Sequence, residues 1–187
     1  MNLLDLREQC LSCQKCSLAK SRTNVVFGEG NPDSVVMFVG EGPGRYEDET
    51  GKPFVGRSGK LLDNLMGAVG IKREEVYIAN IVKCRPPQNR DPLPEEQDIC
   101  IGWLQKQLEI IKPEILVCLG RVSAMRIIDP DFKVTRQHGD FFEKDGFIIM
   151  GTFHPSALLR NPGNKIPALS DFKKLAEKVA ELKENRG

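Results

Sequence analysis

The stretch Ser34-Val-Val-Met-Phe-Val-Gly-Glu-Gly-Pro-Gly44 decides the fold. An apolar run too short for a helix passes straight into a loop of glycine and proline, the pattern of a buried strand ending at an open edge. Val76 to Val82 and Ile115 to Leu119 read the same way, and Phe147 to Met150 adds a fourth such run. Helical patterns lie between them. Ser58 caps one in which Leu61, Leu62, Leu65, Met66 and Val69 repeat, and Pro94 opens a second with Ile99, Leu104, Leu108 and Ile111 inward. A last stripe joins Leu169, Phe172, Leu175, Val179 and Leu182. Strands alternating with helices predict an α/β fold, a three-layer α/β/α sandwich around a central, mainly parallel four-stranded sheet.

In such folds ligands bind beyond the carboxyl ends of the strands. That rule directs attention to four loops: 40–54, 83–94, 120–123 and 153–163. Each is rich in glycine, proline and polar side chains.

Composition narrows the function less than the loops do. A chain of 187 residues is expected to form one domain, 1–187, with an N-terminal arm over 1–24. Folding at this size buries roughly 70% of the surface an unfolded chain exposes, so metal or disulfide staples are not required. The net charge of +1 neither demands nor excludes a nucleic-acid partner, because a local basic face is compatible with a neutral total. The opening MNLLDLREQC lacks the sustained apolar run of a signal peptide, and no apolar stretch is long enough to span a bilayer. A cytoplasmic, thiol-reducing location is therefore expected, where six cysteines do not form three disulfides.

Cys10, Cys13 and Cys16 stand three residues apart, offering two Cys-x-x-Cys pairs. One pair with Cys84 and Cys100 would make a four-thiolate site, and spacing suits zinc or an iron–sulfur cluster equally. Cys118, inside an apolar run, reads as core filling. The Gly40–Gly44 loop is not a dinucleotide-binding turn. Arg45 occupies the position of the third glycine, Pro43 removes an N–H, and no helix pattern opens there. It offers instead a close backbone approach followed by the carboxylates Glu47, Asp48 and Glu49.

Taken together, the loops resemble one family: the family 4 uracil-DNA glycosylases, the iron–sulfur type of thermophilic bacteria and archaea. The matching residues are Cys13 and Cys16, Arg22-Thr23, Val25-Val26 and Gly28-Glu-Gly-Asn31. They continue through Gly40-Glu-Gly-Pro-Gly44, Glu47-Asp48, Gly51, Pro53 to Gly56, Asn80 to Pro87, Asn89-Arg90 and Cys100. They end at His154-Pro-Ser156 and Leu158-Leu-Arg-Asn161.

The resemblance implies DNA repair by hydrolysis of the uracil N-glycosidic bond in single- or double-stranded DNA. The base is flipped into a pocket, and an abasic site and free uracil are left. It implies a 4Fe–4S cluster on Cys13, Cys16, Cys84 and Cys100 that ties down the arm, with Cys10 outside the ligand set. Phe54 is expected to stack on the base, and Asn80 to read its O4 and N3–H edge. Glu47 is expected to exclude the thymine methyl, with Gly40 and Gly42 lining the slot. His154 would donate to O2 as charge develops.

Glu41, Gly42 and Asn89 are the candidate surroundings of the attacking water. Leu158 and Leu159 read as a wedge filling the vacated stack, while Ser58, Lys83, Arg85, Arg90, Ser123, Ser156 and Arg160 read as phosphate contacts. A monomer with no membrane partner is expected. Two alternatives stand beside this reading. One is a non-catalytic nucleic-acid-binding protein with a structural four-cysteine metal site, and the other a glycosylase preferring a different damaged base.

Overall fold

The computed structural model describes residues 1–186. Its strands are β1 (Glu29–Gly30), β2 (Val36–Gly40), β3 (Tyr77–Asn80), β4 (Ile115–Leu119), β5 (Phe141–Lys144) and β6 (Phe147–Thr152). Its helices are α1 (Leu3–Leu11), α2 (Arg45–Thr50), α3 (Arg57–Ala68), α4 (Pro94–Ile111), α5 (Arg121–Ile127), α6 (Val134–Gln137), α7 (Pro155–Arg160) and α8 (Lys165–Arg186).

The strands form one six-stranded mixed sheet in the order β1-β3-β2-β4-β6-β5. The expected strands β3, β2, β4 and β6 pair in parallel, but β1 and β5 extend them with antiparallel edges. The sheet is therefore six-stranded and mixed rather than four-stranded. Both extra strands are edges whose short or half-polar sequences lack a buried run: β1 is two residues long and β5 reads Phe-Phe-Glu-Lys.

Alternate side chains along each inner strand enter opposite cores, as the two-residue period of a strand dictates. Met37, Val39, Ala79, Leu116, Cys118 and Ile149 pack with Leu6 of α1, Trp103 and Leu104 of α4 and Ala124 of α5. Val36, Phe38, Ile78, Val117, Leu119 and Met150 pack with Leu62 and Met66 of α3, Leu158 of α7 and Phe172 of α8. The molecule is an α/β fold with helices flanking a mixed sheet.

Three helix details depart from expectation. The N-cap of α3 is Gly56, and Ser58 lies inside the first turn. A helix does open after the glycine-rich loop: α2 begins at Arg45 because the Glu47 side chain accepts the Gly44 N–H at 3.0 Å and caps it. In α4 the inward stripe is Cys100, Trp103, Leu104, Gln107 and Ile111, whereas Ile99 is exposed.

The N-terminal arm is held by packing and hydrogen bonds. Leu6, Cys10 and Leu18 are buried, Arg22 donates to the Cys13 carbonyl at 2.6 Å, and Asp48 accepts the Thr23 and Asn24 N–H groups. No described helix is long and apolar enough to cross a membrane.

Candidate functional site: a cleft at the strand ends

The register of the central strands sets the cleft. Gly40 and Asn80 are paired as the last residues of β2 and β3, and Thr152 ends β6 opposite Leu119. The chain leaving these ends carries residues 41–47, 86–91 and 154–160. With Phe54 and Ser58 from the segment entering α3, they surround a cavity of about 330 Å³. That volume is at the lower end for small-molecule sites.

Asn80 is buried at 1% exposure, and its Oδ1 has no hydrogen-bond partner. A buried amide oxygen left unpaired costs about 1–3 kcal/mol, so the cleft holds an acceptor awaiting a donor. Its neighbour explains why glycine precedes the loop. A Cβ on Gly40 would lie 2.5 Å from Asn80 Oδ1 and 2.6 Å from Phe54 Cζ, so only glycine lets amide and ring meet. Phe54 is held at φ +50°, a conformation that costs a non-glycine residue on the order of 1–3 kcal/mol. Its ring stands 5.5 Å, centroid to centroid, from that of His154.

His154 is the N-cap of α7, and its Nδ1 accepts from the Ser156 N–H at 3.0 Å and the Ser156 hydroxyl at 2.8 Å. Burial, with the nearby Arg160 charge, pushes its pKa down to about 4. The ring is therefore neutral near pH 7 with its proton on Nε2.

Glu47 also lines the cleft, but its oxygens are committed. Oε1 accepts from Gly44 N, and Oε2 accepts from Val55 N and Gly56 N, both at 2.9 Å. It fastens the glycine loop to the segment carrying Phe54.

The acidic side of the cleft pairs Glu41 with Asp91. Burial and a hydrogen bond with Asp91 push the Glu41 carboxyl up to about 7. Asp91 moves the other way, chiefly because Arg121 donates to its Oδ2 at 2.6 Å. Glu41 thus exchanges its proton near neutral pH.

Of the expected site residues, Glu41, Gly42, Glu47, Phe54, Ser58, Asn80, Asn89, Arg90, His154, Ser156 and Arg160 line this one cleft. Gly40 lies directly behind it. Arg85 is half-buried and donates to Asn89 Oδ1 at 2.8 Å, while Arg90 makes a two-pronged pair with Glu96.

Three expected DNA contacts face inward instead. Lys83 is 1% exposed, its ammonium donating to the Asn80 carbonyl at 3.1 Å and to Gln107 Oε1 at 2.6 Å. Ser123 donates to the Val39 carbonyl from a buried position, and Leu158 is fully buried in the core under α7. All three side chains are buried in the protein. Leu159 remains half-buried. Sequence reasoning missed Asp91, although it sits in a loop already singled out. Its signal, an acid beside Arg90 in the loop ahead of α4, is weak without the Glu41 neighbour.

The cluster expectation is corrected. Cys13, Cys16, Cys84 and Cys100 border one small apolar pocket, yet among the described residues no group of three or more His, Cys, Asp or Glu is arranged to hold a metal ion. The open space between them is about 10 Å³, roughly one water's worth. Their surroundings also satisfy thiols: the Lys83 N–H donates to Cys100 Sγ at 3.2 Å, Arg22 donates to Cys84 Sγ at 3.4 Å, and burial pushes Cys100 up to about 11. The four cysteines therefore do not fit a 4Fe–4S site here.

A cleft that presents one unpaired amide, an aromatic wall and a neutral imidazole at the strand ends of an α/β sheet defines a class. Residues 27–181 match the family model of the uracil DNA glycosylase superfamily. The chain is 44% identical over 184 residues to the type-4 uracil-DNA glycosylase of Archaeoglobus fulgidus, covering 94% of this chain and 92% of that protein. It is 49% identical over 161 residues to the type-4 uracil-DNA glycosylase of Thermotoga maritima, covering 85% and 84%. The protein of the same description from Sulfurisphaera tokodaii is 43% identical over 186 residues, covering 94% and 84%. The chain belongs to the type-4 uracil-DNA glycosylase family.

Proposed function

We propose that the protein is a DNA-repair hydrolase that cleaves the bond between uracil N1 and deoxyribose C1′ in DNA, leaving an abasic site and free uracil. The observation that carries the reading is Asn80: a buried amide, unpaired at Oδ1, set against an aromatic ring in a base-sized cleft. An amide offers one acceptor to N3–H and one donor to O4, which matches uracil and mismatches the amino group of cytosine.

In this reading the flipped base lies against Phe54. As the N1–C1′ bond breaks, its electron pair passes to uracil. Nε2–H of His154 donates to O2, and the Asn80 amide donates to O4, so the leaving anion is met by two preset donors. Water attacks C1′, and ionised Glu41 takes its proton, with Asn89 and the Gly42 main chain beside it. Solvent returns a proton to uracil N1. Glu47 excludes a C5 methyl by holding the glycine loop and the 55–56 turn rigid. Ser58, Arg85, Arg90, Ser156 and Arg160 border the path of the phosphates, and Leu159 is left as the wedge. The fold is read as an α/β/α sandwich about the four parallel strands, with the chain forming one domain.

The test is release of free uracil, identified by mass, from a uracil-containing oligonucleotide. Unchanged substrate at stoichiometric enzyme would end this reading.

A further inference from the structure

We propose that Arg73, which stands outside the cleft, is a positioning residue that fixes the Phe54 wall of the base slot. The inference rests on reading the cleft as the uracil pocket. It begins from the fact that Phe54 is the one cleft residue besides Asn89 whose backbone is held at positive φ.

A strained turn keeps its shape only where its surroundings over-determine it. Two sets of contacts do so here. On the amide side, Glu47 Oε2 takes the Val55 and Gly56 N–H groups. On the carbonyl side, Arg73 Nη1 donates to the Phe54 carbonyl at 2.8 Å and Nη2 to the Pro53 carbonyl at 2.5 Å. The same Nη1 donates to Asp63 Oδ1 at 3.0 Å, which anchors the guanidinium to α3. From the opposite side, Gly59 of α3 lets the Phe54 carbonyl sit against the helix, since a Cβ there would collide with it.

The planar fork of arginine matches two successive carbonyls, and a lysine ammonium does not. The ion pair itself is partly exposed, at 27% for Arg73 and 44% for Asp63, and such pairs contribute little alone. What Arg73 uniquely supplies is the orientation of the 53–54 peptides. Through them it sets the distance between the Phe54 ring and the opposing His154 and Asn80 side chains. Without the fork the turn is free to relax toward ordinary backbone angles, carrying the ring out of stacking position while Asn80, His154 and Glu41 stay in place.

The experiment compares wild type, Arg73→Ala and Arg73→Lys on a single-stranded uracil oligonucleotide, with melting temperature, kcat, KM and inhibition by free uracil measured for each. Arg73→Ala is expected to melt cooperatively, to lose tenfold or more in kcat/KM, and to bind free uracil more weakly by a similar factor. Millimolar guanidinium is expected to restore part of the activity of Arg73→Ala and none to wild type. Arg73→Lys is expected to fall between the two, and it carries the test if the alanine variant does not fold. A folded variant with wild-type kcat/KM and wild-type uracil inhibition overturns the role of Arg73. So does lost activity that guanidinium leaves unrescued while uracil inhibition is unchanged. If wild type itself releases no uracil, the function assigned to the cleft has failed, a different result from failure of this inference.

Discussion

His154 Nδ1 accepts the main-chain N–H of Ser156 at 3.0 Å, which fixes the tautomer of the ring that faces Phe54. The bond makes the imidazole both the cap of α7 and a neutral donor. His154→Ala should lower kcat by about 10²–10³, the usual loss when one preset donor to a developing anion is removed. Steady-state kinetics on a uracil oligonucleotide checks this, and a change confined to KM would count against a role in the bond-breaking step.

Burial and Asp91 hold Glu41 near a pKa of about 7, so the fraction ionised rises through neutrality. Activity limited by Glu41 as a base should therefore climb tenfold per pH unit below about 7 and level off above it. Glu41→Gln should be slower and should lose that rise. A wild-type profile flat from pH 5.5 to 8 would remove Glu41 from the mechanism.

The same two groups bear on stability with opposite signs. Glu41 is raised from 4.5, so its contribution is full below 4.5 and is lost as pH rises through about 7. His154 is lowered from 6.5, so its contribution is present above 6.5 and is lost as pH falls through about 4. Denaturant midpoints across pH 4 to 8 should show the Glu41 part disappear in Glu41→Gln.

In the proposed function the Asn80 amide reads the base edge, and a carboxylate in its place offers no donor to O4. Asn80→Asp and Asn80→Ala should each cost about 10² or more in kcat/KM, because the partner groups are left unpaired. Both variants should keep the wild-type circular dichroism spectrum. Near-wild-type excision by either would refute the recognition role.

Leu158 and Leu159 separate packing from function. Leu158 is fully buried, so Leu158→Ala should cost about 2–5 kcal/mol of stability. Leu159 is half-buried, so Leu159→Ala should stay within about 1 kcal/mol, below the typical large-to-small core cost. It should slow excision from duplex more than from single-stranded DNA. Equal effects on the two substrates would argue against a wedge.

The central strands and their loops were legible because buried parallel strands leave continuous apolar runs, and because glycine and proline mark where they stop. Edge strands leave no such trace, as Phe141–Lys144 shows. That the loops at the strand ends share one cleft was legible by position, but side-chain direction was not. Lys83 looks like a phosphate contact until Gln107, 24 positions away, and the Asn80 carbonyl are seen to receive its ammonium. Asp91 gained meaning only from Glu41, its neighbour on the acidic side of the cleft. Cysteine spacing reported which thiols are near in sequence. Whether they gather round a metal depends on how the arm lands on α4, and the described arrangement does not form such a group.

The most direct measurement scores alkali-labile sites in matched oligonucleotides carrying uracil, thymine or cytosine at one position, single-stranded and paired, with wild type and Asn80→Ala side by side. The structure predicts strand breaks at uracil alone with wild type, and nearly none with the variant. Intact uracil strands throughout, or equal cleavage by both proteins, would contradict it.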